Sequence, residues 1–189
     1  MRPALLALAA SVAAALAGSL VGAGSAAAAT LSYATAGAGA SATGTLTYAG
    51  TDAAESVTIE SITAGGVKFF HLNAGQIATP FPSGCSAQSA AAGTQIVSCT
   101  ITGLTDVTVL AAGGNDTIVE TGLSKPSFVR GGAGDDRLTG GSAADTIYGG
   151  GGVDAVNSGP AIDSIYVRDG LADTVDCGGA LDNLQGDTT

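Results

Sequence analysis

Past residue 110, apolar side chains return on a fixed beat. Leu138, Ile147, Val156 and Ile165 stand nine residues apart, and Val175 and Leu184 continue the series with one extra residue inserted before Val175. Two residues before each lies an aspartate: Asp136, Asp145, Asp154, Asp163, Asp173 and Asp182. The intervening positions are small, as in Gly131-Gly132-Ala133-Gly134-Asp135-Asp136. A single inward apolar residue flanked by polar ones reads as a short strand, with Leu138 and Ile147 facing a core and Arg137, Thr139, Thr146 and Tyr148 facing solvent. So short a period predicts a solenoid whose units bury their apolar faces only against their neighbours. Ala111–Val119 is one complete unit, and others begin at Gly131, Gly140, Gly149 and Ser158. Between them Glu120–Arg130 is degenerate: it carries Pro126, and either Phe128 or Val129 fits its inward position. The last unit begins at Cys177.

Residues 30–110 follow a different pattern, with period-two runs and turn residues between them. Strands are expected over Thr45–Tyr48, Ser56–Glu60, Val67–Leu72, Gln95–Ile101 and Val107–Leu110. Thr79–Gly84 is expected to be a loop, because Pro80 and Pro82 cannot donate to a ladder. Cys85 and Cys99 enclose a Gly/Ser/Ala/Gln-rich segment and are expected to form a disulfide. This half is read as a small antiparallel β module. The fold class is therefore all-β, with that module at 30–110 followed by a parallel repeat region at 111–189.

The first 29 residues stand apart. Met1-Arg2 precedes an uncharged run from Pro3 to Ala29 that closes on Ala27-Ala28-Ala29, the composition of a secretory signal peptide cut before Thr30. The run is long enough for a membrane span, but its second half is only weakly apolar and no basic cluster follows it. Export implies an oxidising compartment. Cys177 would then be free, or paired with a cysteine beyond Thr189.

Charge sharpens the repeat. Without Arg2 the chain keeps 5 Lys+Arg against 16 Asp+Glu, a formal net charge of −11, and thirteen of those acids lie from Asp106 onward. Such an excess repels nucleic acid and anionic lipid and draws divalent cations. Aspartates held at one phase of a solenoid stack as like charges, so a cation is needed between them.

The unit fits G-G-x-G-x-D-x-U-x, where U is a large apolar residue, and it resembles the hemolysin-type calcium-binding (RTX) nonapeptide repeat over about residues 111–185. Gly131–Asp136 and Gly149–Asp154 carry all three glycines with the aspartate. Ala143, Ala161 and Ala180 replace the third glycine elsewhere, and Ser158 and Cys177 replace the first. The resemblance implies a right-handed parallel β-roll, each nonapeptide making half a turn, so that alternate units stack. One column would then hold Asp136, Asp154 and Asp173, and the other Asp145, Asp163 and Asp182. Calcium, which takes 6–8 hard oxygens, would lie between successive loops of a column. Asp136 with Asp154 and Asp145 with Asp163 form the best pairs, assisted by the backbone of Gly131, Gly132, Gly134, Gly140, Gly141, Gly149, Gly150 and Gly152. Asp116 stands 20 residues before Asp136, across the degenerate unit.

Other chemistries fit poorly. No G-K-[ST] accompanies the glycine-rich loops, and their carboxylates would repel phosphate. His71 is the only histidine, and no H-E-x-x-H or G-x-S-x-G occurs. The expectation is a secreted, extracellular, non-catalytic protein with Ca2+ as its ligand, no nucleic-acid partner and no membrane span after cleavage, folding as it binds the ion. The alternatives are an adhesin or matrix protein that holds a cell-surface partner with residues 30–110, and the remnant of a hydrolase.

Overall fold

In the computed structural model, residues 28–36, 43–62, 65–72, 77–88 and 94–187 are described. The leader read at 1–29 lies outside them apart from Ala28 and Ala29. Among the described residues no helix is long and apolar enough to cross a membrane.

The described residues form fifteen strands. The amino-terminal half contributes β1 (Thr30–Ala36), β2 (Thr43–Ala49), β3 (Ser56–Ser61), β4 (Val67–Leu72), β5 (Cys85–Gln88) and β6 (Thr94–Cys99). The longest, β7 (Leu104–Gly113), leads into β8 (Thr117–Thr121) and β9 (Ser127–Ala133). Then come β10 (Arg137–Thr139), β11 (Thr146–Gly151), β12 (Ala155–Asn157), β13 (Ser164–Val167), β14 (Thr174–Asp176) and β15 (Asn183–Gly186). Two sheets result, ordered β1-β2-β7-β9-β11-β13-β15 and β14-β12-β10-β8-β3-β4-β6-β5. From β7 onward the chain alternates between them, and within the stack like strands pair in parallel at fixed register, for example Ile147 with Val129 and with Ile165. The fold is thus a parallel β-solenoid of the β-roll kind with antiparallel strands at its amino-terminal end.

The parallel stacking reaches further toward the amino terminus than the nine-residue period does. β2 pairs in parallel with β7, and β3 with β8, so β2 and β3 form the first coil. Antiparallel β1 covers the edge of β2, while β4, β6 and β5 extend the other sheet beyond β3. The Cys85–Cys99 disulfide joins β5 to β6 across a directly opposed pair. Cys177 is free and half-buried.

The core thins along the stack. The first coil and its covering strands bury Leu46, Tyr48, Val57, Ile59, Phe69 and Val97 completely. The later strands offer one main inward residue each, Leu138, Ile147, Val156 or Ile165, worth about 1.5–3 kcal/mol apiece, with Val167 buried beside Ile165 in β13. In the degenerate unit Val129 takes the inward place, whereas Phe128 is 37 % exposed. Two adjacent strand residues face opposite ways, so only one of them can be buried. At the far end Val175 is only partly buried and Leu184 is 46 % exposed.

One position breaks the glycine rule of the turns. Ala112 has φ 80°, in the left-handed region, and stands in register with Gly132, itself in register with Gly150. A left-handed L-residue costs about 1–2 kcal/mol, and glycine's greater unfolded freedom returns roughly 0.5–1 of this. Ala112→Gly is therefore expected to raise stability by about 0.5–1 kcal/mol, read as a higher urea midpoint in saturating calcium. An unchanged or lower midpoint would speak against strain at Ala112.

Candidate metal centre

Each repeat aspartate sits where a loop enters a strand, and stacking carries it into a column. Asp116 N–H donates to Asp136 Oδ1 at 2.8 Å, Asp136 N–H to Asp154 Oδ1 at 2.9 Å, and Asp154 N–H to Asp173 Oδ1 at 2.8 Å. In the second column Asp145 N–H donates to Asp163 Oδ1 and Asp163 N–H to Asp182 Oδ1, both at 2.8 Å. Asp116 belongs to the first column despite the longer spacing, because the degenerate unit fills one half-turn with extra residues and the register survives it. One oxygen of each carboxylate thus ties one coil to the next.

The second oxygens are left over. Asp116, Asp136, Asp154, Asp163 and Asp182 each keep Oδ2 shut off from solvent with no hydrogen-bond partner. Asp145 differs, its Oδ2 accepting the Gly141 N–H at 2.8 Å. Asp116, Asp136, Asp145, Asp154 and Asp163 are at most 2 % exposed, while Asp173 and Asp182 are half-buried. A buried, unpaired carboxylate oxygen is costly, and five of them in phase mark a place for something positive.

The glycines make the room. A Cβ on Gly131 would run into Asp136 Oδ2 and lie 2.6 Å from the Gly149 carbonyl oxygen. A Cβ on Gly149 would collide with Asp154 Oδ2, and one on Gly140 would lie 3.0 Å from Asp145 Oδ2 and collide with the Ser158 carbonyl. At Gly131 and Gly140 a carboxylate oxygen and a carbonyl oxygen of the next coil approach the space the missing side chain leaves, and at Gly149 the carboxylate meets the Val167 side chain there. Gly132 and Gly150, at φ 125° and 123°, let the loop turn against the carbonyl of the coil before. Gly134 and Gly152 do the same one step later, and Gly141 packs against the Leu123 carbonyl. Hard oxygens from carboxylates and carbonyls are the donor set that a calcium-like cation prefers.

Electrostatics points the same way. Burial, reinforced by the like charges of neighbouring aspartates, pushes the Asp136 carboxyl up to about 6 and Asp116 up to about 7. Burial also raises Asp145 and Asp154 above the ordinary carboxylate range. Each such group binds its proton more readily in the folded chain than in the unfolded one, where aspartate titrates near 3.9. For Asp136 and Asp116 the contribution to stability is complete below about pH 4 and disappears as pH rises through about 6 to 7. In chelator, the stack is accordingly expected to gain β signal in circular dichroism between about pH 8 and pH 4. In excess calcium the slope should reverse, since protons then compete with the ion. A flat profile in chelator would contradict this.

Among the described residues two further acids are buried in the stack, and neither follows the motif. Glu55 precedes Val57 by two residues and follows Gly50 by five, the phase of a repeat aspartate, and its N–H donates to Asp116 Oδ1 at 2.7 Å. Its carboxylate is saturated by donors: Tyr48 Oη at 2.8 Å, Thr51 N–H at 2.9 Å and Thr51 Oγ1 at 2.8 Å. Burial and the adjoining carboxylate hold the Tyr48 phenol far above its usual range, so it remains a donor. Glu120 is 2 % exposed, accepts the Ser127 hydroxyl at 2.8 Å on Oε2 and leaves Oε1 without a partner. The phase of Glu55 relative to Val57 was a usable signal in the sequence. For Glu120 the signal was weaker, an acid in place of a loop's first glycine.

At the carboxy-terminal end Asp169, Asp173 and Asp187 bring oxygens within 4.8 Å of one another. Asp173 is half-buried and the other two are exposed.

Residues 128–165 match the RTX calcium-binding nonapeptide repeat, in four copies. This repeat is a structural, non-catalytic module. The match takes in Asp136, Asp145, Asp154 and Asp163, while Asp116, Asp173 and Asp182 lie outside it. No curated protein and no solved structure matches the chain.

Proposed function

We propose that this chain is a secreted, non-catalytic calcium-binding protein whose two aspartate columns take up the ion between successive coils and whose repeats fold as they do so. The observation that carries this reading is the row of buried Oδ2 atoms on Asp116, Asp136, Asp154, Asp163 and Asp182 without a hydrogen-bond partner. Asp136 with Asp154 and Asp145 with Asp163 are the principal pairs. Gly131, Gly140 and Gly149 leave the space, and carbonyl oxygens complete the ligand set. Asp173 and Asp182 extend both columns, and Asp116 extends the first. Bound calcium would supply the positive charge that lets these carboxylates stay ionised away from water.

Repeats of this kind are typical of secreted proteins, and the apolar leader at 1–29 fits export. Extracellular calcium modules bind at about 10⁻⁴–10⁻³ M. Such sites fill outside a cell and stay empty inside it, so folding would follow export. The test is isothermal titration with calcium, repeated against magnesium. Several sites in the submillimolar-to-millimolar range, with magnesium a poor competitor because it demands tight octahedral geometry, are expected. No calcium uptake at millimolar concentration would refute the proposal.

A further inference from the structure

Glu120 stands where the repeat has a glycine, and Ser127 stands where the repeat has an aspartate. Val119 of β8 is in register with Thr139 of β10, so the next residues, Glu120 and Gly140, occupy the same step of successive coils. Ser127 N–H donates to Asp145 Oδ1 at 2.8 Å, the bond that Asp145 and Asp163 make with the aspartates that follow them. The coil at the head of the second column has therefore lost its acid at one loop position and gained one at another.

The two positions face each other. A side chain on Gly140 would start 3.0 Å from Asp145 Oδ2, so the first loop position points at the carboxylate of the sixth. In the head coil Glu120 reaches into that space, and the Ser127 hydroxyl is bonded to Glu120 Oε2 at 2.8 Å. Glu120 Oε1 is buried and has no partner. The Gly141 N–H, which bonds Asp145 Oδ2 at 2.8 Å, also faces the Glu120 carboxylate. Two carboxylates thus converge on one N–H, a shortfall of positive charge that a solvated side chain would not accept. Glu55, a second buried glutamate in the stack, shows the contrast: donors from Tyr48 and Thr51 fill both its oxygens.

We propose that Glu120 is a calcium ligand, a carboxylate transposed from the sixth loop position to the first, which closes an ion site with Asp145 at the head of the second column. This rests on the calcium-binding reading above and adds a site that the nonapeptide motif does not predict. Ser127 orients the glutamate through its hydroxyl, and the Glu120 Oε1 and Asp145 Oδ2 oxygens hold the ion.

The test is calcium titration of the full chain by calorimetry, with terbium luminescence as a second count of sites. Glu120→Gln, which keeps size and the Ser127 hydrogen bond, is expected to bind one ion fewer while the remaining sites keep their affinities. Adding Ser127→Asp to Glu120→Gln returns a carboxylate to the motif position and is expected to restore the count. An unchanged stoichiometry in Glu120→Gln would overturn the proposal. If that variant loses every site together, the double variant decides: recovery supports the transposed ligand, and no recovery overturns it. A wild-type chain that binds no calcium refutes the parent reading instead, before any variant is made.

Discussion

Removing calcium at neutral pH is expected to melt residues 111–187 while the amino-terminal coil stays folded. In the repeats, stacked carboxylates lie about one strand spacing apart, roughly 4.7–4.9 Å. At an effective dielectric of 20 this repulsion is about 3–4 kcal/mol per pair. Each ordered loop residue costs a further 1–2 kcal/mol or so. Against this, a repeat strand buries one aliphatic side chain, worth about 1.5–3 kcal/mol. The balance is unfavourable without a cation. The first coil and the strand beside it are built otherwise: Leu46, Tyr48, Val57, Ile59 and Phe69 are wholly buried there, and both oxygens of Glu55 accept hydrogen bonds. The Cys85–Cys99 link, at a sequence separation of 14, adds about 3 kcal/mol by restricting the unfolded chain. Hydrogen exchange in chelator should therefore show protected amides in β2, β3, β4 and β6 and rapid exchange from β9 to β15. Equal protection of both regions would contradict this division.

The second large effect is expected from Gly150→Ala. Gly150 has φ 123°, and an added Cβ would strike the Gly132 carbonyl, which is backbone and cannot swing aside. Backbone strain of about 1–2 kcal/mol and overpacking of about 1–3 kcal/mol together give a loss of roughly 3–4 kcal/mol. The damage should extend past stability. Gly150 lies in the loop that ends at Asp154, so displacing it moves a carboxylate common to both neighbouring pairs of the first column. Calcium affinity in that column should fall along with the thermal midpoint, while the Asp145–Asp163 pair is less affected. A variant with wild-type melting and titration curves would remove the steric argument. Gly151→Ala is the control, because nothing lies closer than 3.9 Å to its added Cβ.

The repeat was legible because every unit meets the same constraints. A tight turn demands glycine, a buried strand one apolar residue, and the column an acid, and these recur together from Asp136 to Asp163. Most amino-terminal strands were legible from alternation, and the disulfide from two cysteines enclosing a Gly/Ser/Ala/Gln-rich segment. Their partners were not. Period-two patterning says that Thr43–Ala49 and Ser56–Ser61 are strands with one buried face, but not that they run parallel to β7 and β8. β1 and β5 were missed: β1 follows directly on the uncharged run that ends at Ala29, and β5 is short and mostly exposed. Glu55 escaped notice because its loop keeps only Gly50 of the three glycines, and one of its hydrogen-bond donors is a tyrosine seven residues away. Glu120 escaped notice because a transposed acid breaks the spacing that made the others visible.

The Oδ1 bonds give the stack a direction. Each aspartate accepts the N–H of the coil before it, so a coil finds its template only once its amino-terminal neighbour is in place. Such an array behaves as a one-dimensional lattice with nearest-neighbour coupling, and a fragment in its middle has no stable end of its own. The amino-terminal coil, whose buried Glu55 has both oxygens hydrogen-bonded within the chain, is expected to serve as the nucleus of that lattice. Order should advance from it as a front, one half-turn at a time, with the ions captured in sequence order and the two columns filling in alternation.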